Sequence, residues 1–238
     1  MKRLIAFVLL LSVAAFAASA RPTADDPADA KEALQVFQDF IGEWQGNGSP
    51  DKPRIDARDT TWSEKLTWAW RFKGDDAWLT LDVKDGKVLK SGELHYLPAK
   101  KKYRLTTVGS DGKKRTYEGE VKNEILKLEQ IDSDNREIQQ ITMNTAGDGI
   151  RFVYHVGHKP SGSTLLRKDF VVGATKKGES LASSAKKNEC VVSGGLGTMT
   201  VSYKGETYYV CCSGCRDAFN ENPEKFIAEF KAKKAGKK

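Results

Sequence analysis

The sequence predicts a mainly β fold: an antiparallel barrel of about ten strands, with a short helix before it and a small cysteine-rich α+β unit after it. Three observations carry this expectation. Apolar and polar residues alternate from Trp44 to Val172, most clearly at Leu66, Trp68, Trp70 and Phe72. Turn sequences such as Asp85-Gly86, Asp111-Gly112 and Gly147-Asp148-Gly149 interrupt that stretch, and no crossover helix separates the strands. All 4 cysteines follow it, at positions 190, 211, 212 and 215.

The chain opens with Lys2 and Arg3, an apolar run from Leu4 to Ala17, and the small residues Ala18-Ser19-Ala20. That succession is a secretory signal, with cleavage expected after Ala20 and a periplasmic or secreted product. The run is short for a membrane helix, and Pro22 ends any helix there, so no membrane span is expected after cleavage. Residues 21–28 are a Pro/Asp/Ala leader with little to bury. Asp29 and Glu32 have the spacing of a capping box, and Leu34, Phe37 and Ile41 recur at helical period up to Gly42, which predicts one short amphipathic helix.

From there the pattern places strands at about 43–49, 59–73, 77–84, 90–97, 102–108, 114–121, 125–131, 137–144, 150–156 and 164–172. Consecutive antiparallel strands favour a meander, and closing it leaves no unpaired edge. The barrel unit therefore spans 29–172. Residues 173–189 are rich in Gly, Ser, Ala and Lys and form the expected linker. The cysteine unit follows over 190–231, with two strands around Gly205 and two short helices. Asn222-Pro223 opens the second helix with a cap and a proline at its first position. The Lys-rich tail, 232–238, is expected to be a frayed and solvated end.

Composition narrows the function classes. With 39% hydrophobic and 30% charged residues the chain has the balance of a globular protein, which excludes disordered and collagen-like structure. The net charge of +7 comes from interleaved Lys and Glu. No basic helix or aromatic strand face is set out for nucleic acid, so no nucleic-acid partner is expected. A nucleophile elbow, an HExxH helix and an ordered triad are all missing, and the reading is non-enzymatic. The tryptophans cluster between Trp44 and Trp78 in alternation with polar residues, as in core packing. A barrel of this size also has room for one small apolar ligand.

Phe40-Ile41-Gly42-Glu43-Trp44-Gln45-Gly46 resembles the helix-to-first-strand entry of calycin-like barrels, the group that contains lipocalins and nitrobindins. Gly92 to Tyr103 resembles a segment of an uncharacterised secreted barrel family of that type, and the likeness spans roughly residues 31–172. It implies the fold. Nitrobindin-like proteins hold haem through a histidine, which makes His155 and His158 the residues to inspect in an alternative reading as a haem or apolar-ligand carrier. Neither position is fixed by a motif.

The chemistry lies in the cysteines. Cys190-x20-Cys211-x3-Cys215 is embedded in Tyr203 to Phe219 and continues through Asn222-Pro223-Glu224-Lys225-Phe226. This resembles a YHS-type module of the TRASH group, small domains implicated in metal handling, over residues 189–231. The resemblance implies Cys190, Cys211 and Cys215 as ligands, with Cys212 secondary. Residue chemistry points the same way, because a strand ending near Cys211 and a helix opening near Cys215 bring two soft sulfurs to one knuckle. Such sulfurs suit Zn(II), Cu(I) or another thiophilic ion. Two alternatives stay open. An exported chain with four cysteines could instead form structural disulfides, and Cys212-Ser213-Gly214-Cys215 is a CxxC with thiol-redox potential.

Overall fold

A computed structural model describes residues 29–51, 60–131, 137–178 and 188–236. The signal and leader, most of the predicted linker, and Lys237-Lys238 lie outside the described residues.

Asp29 caps the first helix, α1 (Ala30–Leu34), its carboxylate accepting the Glu32 backbone N–H at 2.7 Å. The predicted single helix ends sooner than its apolar period. After Leu34 the chain tightens into a 3-10 helix, Gln35–Phe40, in which Phe37 leaves helical geometry. The kink lets Phe37 and Phe40 both turn inward. Phe40 packs on Trp68 and Phe152 with ring centroids 5.6 and 5.0 Å apart, and Phe37 meets the edge of Tyr103 at 4.9 Å. Trp44 Nε1 donates to the Phe40 carbonyl at 2.8 Å. The segment thus plugs the barrel where the first strand begins.

The ten strands are β1 (Gly42–Pro50), β2 (Trp62–Lys73), β3 (Asp76–Lys84), β4 (Leu89–Leu97), β5 (Lys102–Gly109), β6 (Lys114–Lys122), β7 (Ile125–Ile131), β8 (Ile138–Ala146), β9 (Arg151–Lys159) and β10 (Arg167–Lys176). Each pairs with its sequence neighbour, and β1 pairs with β10 to close the barrel. That closure corrects the predicted boundary at 172. Gly173 lies opposite Asn47 and Lys176 opposite Trp44, so residues 173–176 are strand rather than linker. The Gly-Ala-Thr-Lys composition resembles a linker, but the β1 backbone supplies the hydrogen bonds that hold it extended. Gly147, Asp148 and Gly149 all adopt positive φ, the turn geometry their residue types favour.

Inward positions are filled by side chains such as Leu66, Trp68, Leu94, Leu105, Leu126 and Phe152, all buried. Four of the five tryptophans are core residues. Trp78 is the exception: on the outer face of β3, its ring stacks on His95 at 5.6 Å with an interplanar angle of 10°. Two-residue alternation explains this, since Ala77 and Leu79 take the inward places.

One inward position is acidic. Glu64 is 1% exposed, and its carboxyl accepts from Trp62 Nε1 at 2.6 Å and from the Tyr154 hydroxyl at 2.9 Å. Burial raises its pKa above the ordinary 4.5, and the two hydrogen bonds oppose that rise only in part. The folded chain therefore holds the proton more tightly than the unfolded chain. Stability from this group is complete below pH 4.5 and is lost as pH rises through the raised value. Glu64→Gln is expected to gain stability over the parent chain as the pH is taken from below that value to neutrality, read from urea midpoints. An identical difference at both pH values would show that Glu64 ionises as freely as a surface carboxylate.

After the barrel, β11 (Met199–Tyr203) and β12 (Glu206–Val210) form a hairpin turning at Lys204-Gly205, both at positive φ. Helices α2 (Ser213–Glu221) and α3 (Pro223–Ala235) follow, and Asn222 caps α3 by accepting the Lys225 N–H at 3.2 Å. The expected frayed tail is corrected, because α3 continues to Ala235. Lys and Ala are strong helix formers, and Lys233 and Lys234 sit in the last turn, where the helix dipole favours cations. Among the described residues no helix is long and apolar enough to cross a membrane.

Candidate metal centre

Three short segments build the site. The first is the end of β12, where Val210 is buried and the chain continues as Cys211-Cys212. The second is the first turn of α2. Cys212 is its N-cap in extended conformation, and Cys215 lies one helical turn beyond Cys211, so their sulfurs approach to 3.4 Å. The third is the segment before β11. Glu189 bridges to Leu196, the Cys190 N–H donates to Gly195 O at 2.6 Å, and the Val191 N–H donates to Tyr209 O at 2.8 Å. This folded loop carries Cys190 back across the hairpin.

The Sγ atoms of Cys190, Cys211 and Cys215 lie within 4.8 Å of one another, and all three residues are buried. Ser193, itself buried, touches two of them. Its backbone N–H donates to Cys190 Sγ at 3.4 Å, and its hydroxyl lies 3.3 Å from Cys211 Sγ. Cys212 is different. Its sulfur accepts the Trp70 backbone N–H at 3.4 Å and is not one of the three clustered atoms. All four thiols are free.

Electrostatics follow from this crowding. Hydrogen bonds from the Cys211 and Cys215 thiols hold Cys190 well below the ordinary thiol range, and the same two neighbours lower Cys212. Cys211 rises because it donates to Cys190 and Cys212, and Cys215 rises because burial disfavours its thiolate. Crowding and burial thus push the four thiols in opposite directions, since a buried cluster does not ionise fully without a compensating cation. Three soft, clustered sulfurs fit a thiophilic metal ion.

The site is docked on the barrel. β1 begins at Gly42 opposite Trp68, so from Ala69 onward β2 has no strand on that side. The knuckle occupies the gap: the Trp70 N–H meets Cys212 Sγ, and Gly214 lies so close that a Cβ there would stand 1.7 Å from the Trp70 carbonyl oxygen. Phe72 packs edge-on against Phe226 at 6.2 Å, Trp70 Nε1 donates to Gln38 at 3.2 Å, and Lys31 pairs with Glu229 at 2.8 Å. Between barrel rim and module lies a cleft of about 1010 Å³, whose lining includes Trp68, Lys176, Gly195, Cys211 and Cys212.

The histidines named for haem do not converge. His158 Nδ1 pairs with Asp169 at 2.8 Å, whereas His155 lines a small outer-wall pocket with Gln140 and Lys168. Residues that the sequence did not assign to the site also shape it. Ser193 was legible only as a neighbour of Cys190, and Gly214 only as a small residue inside the knuckle. Trp70 acts through its backbone, which residue type does not reveal.

A family model for the YHS domain matches residues 198–229. The match contains Cys211, Cys212 and Cys215, while Cys190 lies ahead of it. No curated protein matches the chain.

Proposed function

We propose that this protein binds one thiophilic metal ion through Cys190, Cys211 and Cys215, outside the cytoplasm and without catalysing a reaction. The observation that carries the reading is the convergence of three buried sulfurs from separate segments within 4.8 Å. Among the described residues, no His, Asp or Glu joins that group. An all-thiolate set of three favours Cu(I), which accepts three-coordination, whereas Zn(II) takes four ligands and would recruit Cys212 or an external donor. The barrel serves as the platform: its interior is packed with side chains, and its β2 edge positions the knuckle. Export is supported by Lys2-Arg3, the apolar run from Leu4 and Ala18-Ser19-Ala20. The non-enzymatic role is supported by the absence of a recognisable catalytic motif in the sequence.

Native mass spectrometry of the protein isolated anaerobically from its own compartment tests the whole reading. The expected species begins at Arg21 and carries one metal ion, and after denaturation with a chelator it alkylates at four thiols. A metal-free species with two disulfides would instead establish the cysteines as structural crosslinks.

A further inference from the structure

The four cysteine residues are unequally exposed. Cys190 and Cys215 are fully enclosed at 0% exposure, while Cys211 and Cys212 each keep 7%. Those two also line the cleft between barrel and module. An ion reaching the cluster from the cleft meets Cys211 and Cys212 first. Of these, only Cys211 belongs to the group of three.

Cys212 has no place in that group, yet it is held in position. Its backbone is extended at the N-cap of α2 (φ −158°, ψ 171°), and the barrel's Trp70 N–H donates to its sulfur at 3.4 Å. Its side chain also hydrogen-bonds with the Cys211 thiol. A nucleophilic sulfur is therefore fixed at the cleft wall, beside a ligand of the enclosed site.

Resting on the metal-binding reading above, we infer that Cys212 is the entry thiol, through which the ion reaches and leaves the three-sulfur site. The incoming species of matching chemistry is a Cu(I) complex of a small thiol. In the first exchange one Cu–S bond to the donor breaks as one to Cys212 forms, and the departing donor sulfur takes the proton that Cys212 gives up. In the second, the bond to Cys212 breaks as one to Cys211 forms, and the Cys211 proton returns to Cys212. Copper stays Cu(I) throughout: as Cys190 and Cys215 bind, the remaining Cu–S bond to the donor breaks, its sulfur leaves with one of their two protons, and the other proton passes to solvent. Cys212 so acts on rate and leaves the equilibrium to the other three.

Stopped-flow transfer from Cu(I)–glutathione to the full reduced chain, beside equilibrium competition with bicinchoninate, separates these roles. Serine at 212 retains an acceptor for the Trp70 N–H, so Cys212→Ser is expected to stay folded and docked. Its Cu(I) affinity should stay within about threefold of the parent, while uptake and release should both slow by about tenfold or more, since an unchanged equilibrium requires both rates to fall together. Parent-like rates in Cys212→Ser overturn the entry role and leave the metal reading standing. An affinity loss in Cys212→Ser as deep as in Cys190→Ser overturns it in favour of a four-thiolate site. A parent chain that takes up no Cu(I) overturns the metal reading and this inference with it.

Discussion

Cys190→Ser is expected to abolish tight metal binding by a chain that still folds. Structural Zn(II) sites in small peptides are worth about 10–16 kcal/mol, which is roughly 3 kcal/mol or more per sulfur, or at least about a hundredfold in affinity for each ligand lost. Position 190 is the informative choice because it lies ahead of the residues matched by the YHS model, 198–229. Its sulfur reaches the cluster only through the loop that folds back from Glu189 to Leu196. Serine keeps an acceptor for the Ser193 N–H that now meets Cys190 Sγ, so the loop retains its local hydrogen bond. Chelator competition reads the affinity, and thermal unfolding of the metal-free variant confirms the fold. A variant that binds within a few-fold of the parent would remove Cys190 from the ligand set and leave the site to the knuckle alone.

Gly214→Val is expected to undock the cysteine module from the barrel. The atom a side chain would strike is the Trp70 carbonyl oxygen, at 1.7 Å, and this is strand backbone rather than the end of a flexible side chain. Relief requires α2 to withdraw, which breaks the bond from the Trp70 N–H to Cys212 and loosens Phe226 from Phe72. Overpacking a fitted contact costs about 1–3 kcal/mol, occasionally more, and the backbone clash places this substitution at the upper end. Hydrogen exchange at the Trp70 amide is the direct measurement. Protection there should fall sharply while amides in β8 and β9 keep theirs. Undiminished Trp70 protection in the variant would show that the close approach of α2 to β2 does not hold in solution.

Much of the fold was legible because a strand period of two is a strong local signal. Leu66, Trp68 and Trp70 alternate with polar residues, and all three point inward. The misjudged ends depended on partners distant in sequence. Gly173 to Lys176 is weak strand sequence, and only pairing with β1 makes it strand. Phe37 kept the helical period, yet packing against Tyr103 drew the chain into a tighter turn. In the site, the spacing of Cys211 and Cys215 was readable because both sit on one knuckle. That Cys212 would turn toward the barrel was not, since its partner is a backbone N–H 142 positions away in sequence. The family pattern likewise describes the module without the wall it leans on.

The covered stretch of β2 has a consequence for how copies of this chain meet one another. Beyond Trp68 that strand presents backbone donors and acceptors with no β1 partner, beside the large apolar rings of Trp70 and Phe72. Bare edges of this kind recruit strands from other molecules and seed aggregation. The knuckle fills the position with a thiol and a glycine, neither of which offers a strand of its own to extend. The module is therefore a guard against self-association as well as a cradle of sulfurs, and damage to it would first be seen in the solubility of the barrel.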